Sequence, residues 1–227
     1  IDYDIKIGMS PEELKGVIDQ YDGILIRSAT KLTSDILADC KNLKVIGRAG
    51  VGVDNVDLDQ ATKNRILVMN TPLGNLEATA ELSVGLMFSI MRNIHLANDS
   101  THQGKWEKPK FLGTELKGKV LGIVGYGNIG QRVAEICSTI GMKIITNSKS
   151  ASENELLKFD VKKVSTEDLI KEADIISLHT KLNDETKYMI NKETLSTMKP
   201  TSVIINCARG GFCLLYTSDA ADDMQCV

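Results

Sequence analysis

The stretch KVLGIVGYGNIGQRVAEI, residues 119–136, places three glycines between an apolar run and a helical pattern. Gly125, Gly127 and Gly130 have the spacing G-x-G-x-x-G, which becomes specific when a strand precedes it and a helix follows. The first glycine permits a tight turn, the second lets the backbone approach a pyrophosphate, and the third allows close helix–sheet packing. The stretch therefore predicts a dinucleotide-binding site, with a glycine turn that binds no ligand as the alternative.

The residues after this turn, and those after the next strand, indicate how the nucleotide would be held. The first N–H groups of the helix, at Asn128 and Ile129, would face the anionic pyrophosphate. An acidic residue is expected about 20 positions on, where it would bind the ribose, but the chain has Ser148 and Lys149 there. A serine and a lysine can accept a 2′-phosphate. We expect NAD as the cofactor with NADP tolerated or preferred; the alternative is that Asn147 or Ser148 holds the ribose and Lys149 is solvated.

Apolar, strand-like runs alternate with helical patterns along the chain. Such runs separated by helices predict a parallel sheet covered on both faces. The predicted strands outside the glycine motif include residues 4–8, 23–28, 43–50, 66–72, 161–164, 175–180 and 201–208, and the predicted helices include residues 10–21, 33–42, 76–96, 165–174 and 191–198.

The longest helical pattern, residues 76–96, is apolar on more than one face. Leu82 and Ile90 lie on one row, and Met87 and Ile94 on another. A helix of this kind needs cover on both sides, from its own domain and from a partner subunit. A central core helix without a partner is the alternative.

Composition excludes several classes of function. The 227 residues carry a net charge of −3 without a basic stripe, which argues against a nucleic-acid partner. No apolar run approaches the roughly 18 residues of a membrane span, and no leader precedes the first strand, so no membrane association and a cytoplasmic location are expected. The five cysteines include no CxxC pair, which favours free thiols over a metal site or disulfides.

Several motifs occur in an order and spacing that resemble the D-isomer-specific 2-hydroxyacid dehydrogenases. The resemblance covers residues 2–211 and is far more specific than the glycine motif alone. It implies an α/β fold with an incomplete Rossmann-type cofactor domain, residues 73–212, and a smaller, incomplete flavodoxin-like substrate domain, residues 1–72. The motifs are RSATKLT, VIGRAGVGVDNVDL, NTPLGN, AELSVGLMFSIMRNI, GKWEKPKFLGTELKGKVLGIVGYGNIGQRVA and INCARGG.

The resemblance implies a site for a small anionic 2-hydroxy acid in the first part of the chain. Two arginines would bind the acid's charged groups, since charge-assisted hydrogen bonds exceed neutral ones. A glycine turn would offer backbone N–H groups to the carboxylate, and its valine would also contact the cofactor. These positions are Arg27, Arg48, Gly50, Val51, Gly52 and Asn75.

The resemblance also implies cofactor-lining and catalytic positions near two later strand ends. His179 and Thr180 match cofactor-lining positions, although Lys181 stands where the family usually has proline. Cys207 and Ala208 match the loop that faces the nicotinamide. Arg209 would polarise the substrate carbonyl and bind its carboxylate during hydride transfer at C2.

The family also uses a glutamate and a histidine beyond the arginine, and neither residue type follows Arg209. General acid–base catalysis is worth about 10²–10⁴-fold, so we expect negligible dehydrogenase activity from this chain. Back-translation of residues 213–222 resembles a transposon-end sequencing adapter, and residues 213–227 are expected to be a non-native tail that replaces the last strands. Loss of those strands would leave Ile204 and Ile205 on an exposed edge.

Three functions follow from the resemblance. The favoured one is oxidation of D-3-phosphoglycerate to 3-phosphohydroxypyruvate, at the entry to serine synthesis, by the full-length protein. A second is a dehydrogenase for glyoxylate or hydroxypyruvate, and a third is a non-catalytic, nucleotide-sensing module similar to the corepressors built on this fold. Because the family pairs through its cofactor domain, a homodimer is expected.

Overall fold

The computed structural model describes residues 1–214, which divide into two compact units between Asn75 and Leu76. Both units have parallel sheets with helical connections, so the predicted α/β fold is confirmed. The roles assigned to residues 1–72 and 73–212 stay predictions. Most of the predicted tail, residues 215–227, lies outside the described residues.

The first unit is built on a three-stranded parallel sheet in the order β1-β2-β3. Ile26 is paired with Arg48, and Arg48 with Asn70, so the three strands end at one edge. The helix α1 begins at a capping box in which Ser10 and Glu13 bind each other's backbone N–H groups. The elements are α1 Pro11–Val17, β1 Gly23–Ile26, α2 Ser34–Leu37, β2 Val45–Arg48, α3 Leu58–Lys63 and β3 Leu67–Asn70.

The core of the first unit lies on the helical side of its sheet. Ile18, Leu37 and Ile46 are almost fully buried there. Leu25 and Met69, by contrast, are exposed. The sheet of this unit therefore has one packed face and apolar side chains in solvent.

The prediction of a strand at residues 4–8 is wrong. The segment has no regular secondary structure, and Ile5 and Ile7 are exposed. Alternating apolar residues favour a strand, but a strand also needs a neighbour for its backbone hydrogen bonds. The segment is not paired with any of the three strands of the described sheet.

The second unit contains a five-stranded parallel sheet in the order β6-β5-β4-β7-β8. Val124 is paired with Leu178, and Leu178 with Asn206. The loops that follow β4, β7 and β8 therefore leave the same edge of the sheet. The strands are β4 Val120–Val124, β5 Lys143–Thr146, β6 Val161–Lys163, β7 Ile175–Leu178 and β8 Val203–Asn206.

Helices cover both faces of this second sheet. Leu121 and Ile123 of β4 pack in a cluster with Met87 of α4 and Val133 of α6. The other face packs Ile176, together with Leu169 of α8, in a separate cluster. The helices are α4 Leu76–Met91, α5 Ile94–His102, α6 Asn128–Ile140, α7 Glu153–Leu157, α8 Thr166–Glu172 and α9 Lys192–Thr197. Across residues 1–214, every helix is too short or too polar to span a lipid bilayer.

The long helix predicted for residues 76–96 is two helices instead of one. Asn93 has a φ of 54°, in the left-handed region where a helix ends. The carbonyl of Met91 accepts a hydrogen bond from the N–H of Thr114, at 2.6 Å, instead of from a following helical turn. This tertiary contact ends α4, and the apolar pattern alone does not reveal it.

The predicted exposure of the last strand is also wrong. Ile205 is 2% exposed and packs in the cluster beneath α4 and α6. Ile204 is partly buried against the cluster on the other face. Although β8 is the last strand of the order, both of its faces are covered by helices or loops.

Candidate functional site

The three glycines of the G-x-G-x-x-G motif form the turn between β4 and α6, and each has different surroundings. Gly125 has a φ of +89°, and a methyl group there would lie 2.7 Å from the carbonyl oxygen of His179. A methyl group on Gly130 would lie 2.3 Å from the carbonyl oxygen of Gly125. At Gly127 it would meet nothing within 4 Å. The first and third glycines thus allow close packing, and the second borders open space.

The helix α6 begins directly at this open space. Gly127 precedes its first residue, Asn128, and no side chain caps the helix there. The N–H groups of the first helical turn have no partner inside a helix, and the helix dipole places partial positive charge at the same end. An anionic group at Asn128 and Ile129 would be bound by both effects. The buried residues Val133 and Cys137 hold the rest of α6 against the sheet.

The loop after β5 contains Ser148 and Lys149. Ser148 is largely buried, and its hydroxyl lies 3.4 Å from the hydroxyl of Ser150. Lys149 projects into solvent, with its ammonium 3.8 Å from Glu185. Its carbonyl accepts a hydrogen bond of 3.1 Å from Nζ of Lys163. The loop therefore carries two hydroxyls and one ammonium group at the end of β5, and the ammonium of Lys163, at the end of β6, binds its backbone. Lys163 is not among the residues predicted from the sequence.

The residues after β7 lie against the glycine turn. The N–H of His179 donates to the carbonyl of Val124 at 2.8 Å, and the backbone of His179 and Thr180 packs on Gly125. The ring nitrogen Nε2 of His179 lies 2.8 Å from the hydroxyl of Ser177. Burial lowers the pKa of His179 to about 4, so the imidazole is neutral near pH 7.

The loop after β8 contains Cys207, Ala208 and Arg209, and Asn206 fixes its shape. The side-chain oxygen of Asn206 accepts a hydrogen bond from the N–H of Ala208 at 3.1 Å. Its amide nitrogen donates to the carbonyl of Arg209 at 2.9 Å. Cys207 is half-buried, and Arg209 is exposed. Asn206 is not among the site residues predicted from the sequence; its only signal is an amide residue at the end of a strand, and amides are common in turns.

Arg48 and the Gly50 turn form a compact group in the first unit. Arg48 is 9% exposed, and a methyl group on Gly50 would lie 1.5 Å from its Nη1. The guanidinium therefore lies directly over Gly50, and a side chain at position 50 would displace the end of the flexible Arg48 side chain. Asn70 donates a hydrogen bond of 2.7 Å to the carbonyl of Val51, and Gly52 follows within the same turn.

The other two candidate residues of the first unit are exposed. Arg27 follows β1 and Arg48 ends β2, so both are at the same edge of the sheet. Asn55 connects them: its amide nitrogen donates to the carbonyl of Arg27 at 3.0 Å, and its oxygen accepts from Nε of Arg48 at 3.4 Å. Within residues 1–214, no hydrogen bond joins Asn75 to either arginine. Asn55 was also missed by the sequence analysis.

Comparison with known proteins identifies the family. The family model described as D-isomer specific 2-hydroxyacid dehydrogenase, NAD binding domain, matches residues 84–214. The chain belongs to this family, and NAD is the cofactor of the matched domain.

The similar proteins have different names. The chain is 44% identical over 208 residues to D-3-phosphoglycerate dehydrogenase of Synechocystis sp., covering 92% of this chain and 38% of that protein. It is 44% identical over 203 residues to hydroxypyruvate reductase of Thermotoga maritima, covering 89% and 65%. The crystal structure of D-lactate dehydrogenase from Aquifex aeolicus complexed with NAD and lactic acid has a TM-score of 0.82 and 32% identity, covering 91% of this chain and 61% of that one. The chain thus spans less than two thirds of the length of each of these three proteins.

Proposed function

We propose that the chain supplies the nucleotide site and part of the substrate site of an NAD(P)-dependent dehydrogenase that oxidises D-3-phosphoglycerate to 3-phosphohydroxypyruvate. The observation that carries the proposal is the open space at Gly127, directly before an uncapped helix in a glycine turn. The names of relatives such as the Synechocystis protein support the substrate.

The second unit would hold the cofactor. Its pyrophosphate would lie over Gly127 and accept hydrogen bonds from the N–H groups at Asn128 and Ile129. The ribose would lie against the loop after β5, where Ser148 offers a hydroxyl and Lys149 a cation, with the carboxylate of Glu185 3.8 Å from the Lys149 ammonium. A 2′-phosphate is therefore acceptable there, and NADP is tolerated beside NAD.

The arginines would hold the substrate. Arg48 and the exposed Arg27 suit the carboxylate and phosphate of D-3-phosphoglycerate, with Gly50 and Val51 providing N–H groups and Asn75 a further contact. None of the salt bridges among the described residues includes Arg48, so its charge remains for a ligand.

The chemistry would take place at C2 of the substrate. NAD(P), when bound, would supply the acceptor for the hydride from C2, and the proton of the C2 hydroxyl would pass to a general base outside the residues named here. Arg209 would bind the oxygen that becomes the carbonyl and stabilise its charge. The neutral His179, with Thr180, Cys207 and Ala208, would line the site without adding a charge.

Reduction of hydroxypyruvate is the second candidate. The Thermotoga maritima relative is named hydroxypyruvate reductase, and it is 44% identical to this chain, as is the Synechocystis protein. Calorimetric titration of the NADH-saturated chain with D-3-phosphoglycerate and with D-glycerate separates the two candidates. We expect D-3-phosphoglycerate to bind at least about tenfold more tightly, since its phosphate adds a charge-assisted contact. Equal affinities would favour a substrate without phosphate.

We also propose that the protein forms a homodimer through the second unit. The exposed apolar side chains of α4 and α5 include Leu82, Ile90, Ile94 and Leu96. Exposed apolar side chains on two consecutive helices are of the kind that a subunit interface covers.

A further inference from the structure

We propose that Asn55 is a positioning residue for the anion site of the first unit: it orients the Arg48 guanidinium without neutralising its charge. The inference rests on the proposed function, because it assumes that Arg48 binds an anionic ligand. Asn55 does not itself touch that ligand.

The amide group of Asn55 can have only one orientation. Its nitrogen donates to the carbonyl of Thr30 at 2.7 Å and to the carbonyl of Arg27 at 3.0 Å. A flipped amide would place its oxygen against these two carbonyl oxygens, which offer no proton. The oxygen of Asn55 must therefore face the other way, where it accepts from Nε of Arg48 at 3.4 Å.

The backbone of Asn55 is held as firmly as its side chain. Its carbonyl accepts a hydrogen bond from the N–H of Leu32 at 2.7 Å. The carbonyl of Leu32 in turn accepts from the N–H of Asp57 at 2.8 Å. Leu32 thus joins the segment that follows Arg27 to Asn55 and Asp57 by two backbone hydrogen bonds, which hold the backbone of Asn55 in place.

The guanidinium of Arg48 is constrained from two directions. Nη1 packs on Gly50, and Asn55 binds Nε. The two terminal nitrogens then point away from Nε in a fixed plane, because a guanidinium is planar and rigid. Such an arrangement suits bidentate binding of a carboxylate or phosphate.

The choice of an amide over a carboxylate has a consequence for charge. An aspartate at position 55 would pair with Arg48 and neutralise it, and would also repel the carbonyls of Arg27 and Thr30. A neutral acceptor orients the cation and leaves its full charge for a ligand. The structure therefore predicts that Asn55→Asp weakens anion binding even in a folded protein.

Asn64 provides a matched control in the same unit. Its amide nitrogen donates to the carbonyls of Leu37, Ala38 and Cys40, and its oxygen accepts from Gln60. It thus ties two segments together as Asn55 does, but within residues 1–214 none of its hydrogen bonds is to an arginine. Asn64→Asp carries the same change of charge and a similar loss of structural contacts.

The test is calorimetric titration of the wild-type 227-residue chain, Asn55→Asp, Asn55→Ser and Asn64→Asp with D-3-phosphoglycerate, inorganic phosphate and NADH. We expect Asn55→Asp to weaken binding of both anions about tenfold or more, and Asn55→Ser, which stays neutral, to weaken it less. Asn64→Asp should keep the wild-type affinity for anions, and NADH affinity should change less than twofold in every variant. A loss of anion affinity confined to the Asn55 variants, with NADH affinity unchanged, would distinguish a positioning role from a general loss of structure.

Other outcomes are equally decisive. Wild-type affinity for both anions in Asn55→Asp and Asn55→Ser, or an equal loss in Asn64→Asp, overturns the role of Asn55. If the wild type binds phosphate but not D-3-phosphoglycerate, the proposed substrate fails, and the phosphate affinities of the variants still decide the role of Asn55. A wild type that binds neither anion refutes both.

Discussion

The α-carbon of Gly130 lies so close to the carbonyl oxygen of Gly125 that a methyl group on Gly130 would come within 2.3 Å of that oxygen. No side chain can be accommodated at this distance without moving backbone. At Gly127, two residues after Gly125, a methyl group would meet nothing within 4 Å. The motif therefore combines a glycine needed for folding with one whose surroundings leave space for a ligand.

Gly130→Ala and Gly127→Ala should separate folding from binding. Gly130→Ala overpacks the turn and should lower the free energy of unfolding by about 1–3 kcal/mol. Gly127→Ala should change it by no more than about 0.5 kcal/mol, but should weaken NADH binding about tenfold because the methyl group keeps the pyrophosphate from the helix N–H groups. Urea denaturation and NADH titration measure the two effects. Equal destabilisation by the two substitutions would contradict a folding role for Gly130 and a binding role for Gly127.

Ser148→Asp should change the choice of nucleotide. A carboxylate at the end of β5 would repel the 2′-phosphate of NADPH and accept hydrogen bonds from the ribose of NADH. We expect the ratio of the dissociation constants for NADPH and NADH to rise about tenfold or more. Thr139→Asp is the control, because Thr139 is exposed near the C-terminal end of α6, away from the glycine turn. A strong preference for NADH in the wild type would refute the proposed tolerance of NADP.

His179 should make the stability of the second unit depend on pH. The pKa of folded His179 is about 4 because of burial, whereas an exposed histidine has a pKa of about 6.5. The unfolded chain therefore binds the proton first, and stability that is present above about pH 6.5 is lost as the pH falls toward 4. We expect wild type to lose about 3 kcal/mol more than His179→Gln between pH 7 and pH 4.

Urea denaturation at both pH values tests this expectation, with His102→Gln as the control at an exposed histidine. The control should lose as much stability as the wild type. An identical loss in His179→Gln would show that the buried imidazole is not the titrating group.

Leu96→Glu should disrupt the proposed homodimer. Leu96 is 49% exposed on α5, and a charge in an apolar contact between subunits is costly because it loses water without gaining a partner. Sedimentation velocity should detect a dimer for the wild type and a monomer for Leu96→Glu. Leu157→Glu, at a residue 76% exposed on α7, should remain a dimer. A monomeric wild-type protein would contradict the proposed homodimer.

The alternation of apolar runs and helical patterns was enough to predict the α/β fold and most strands of the second unit. β4 and β7 are buried on both faces, so their sequences are largely apolar without alternation. Residues 4–8 gave a strand signal without a partner strand, and the end of α4 depends on the contact between Met91 and Thr114. Both errors concern contacts made with residues far along the chain.

The residues of the candidate site also differ in how far their roles could be predicted from the sequence. Gly125 and Gly130 could be assigned structural roles from spacing because the turn constrains the backbone locally. Asn55 and Asn206 act through hydrogen bonds to carbonyl groups of loops, and their partners are known only once the strands are placed. Their residue type alone is ordinary in a turn.

Calorimetric titration of the wild-type chain with NADH tests the central claim most directly, because the proposed dehydrogenase function assumes a nucleotide at the Gly127 turn. We predict saturable binding at one site per chain, weakened by Gly127→Ala and competed by NADPH. Absence of heat in a chain that circular dichroism and cooperative unfolding show to be folded would contradict the account.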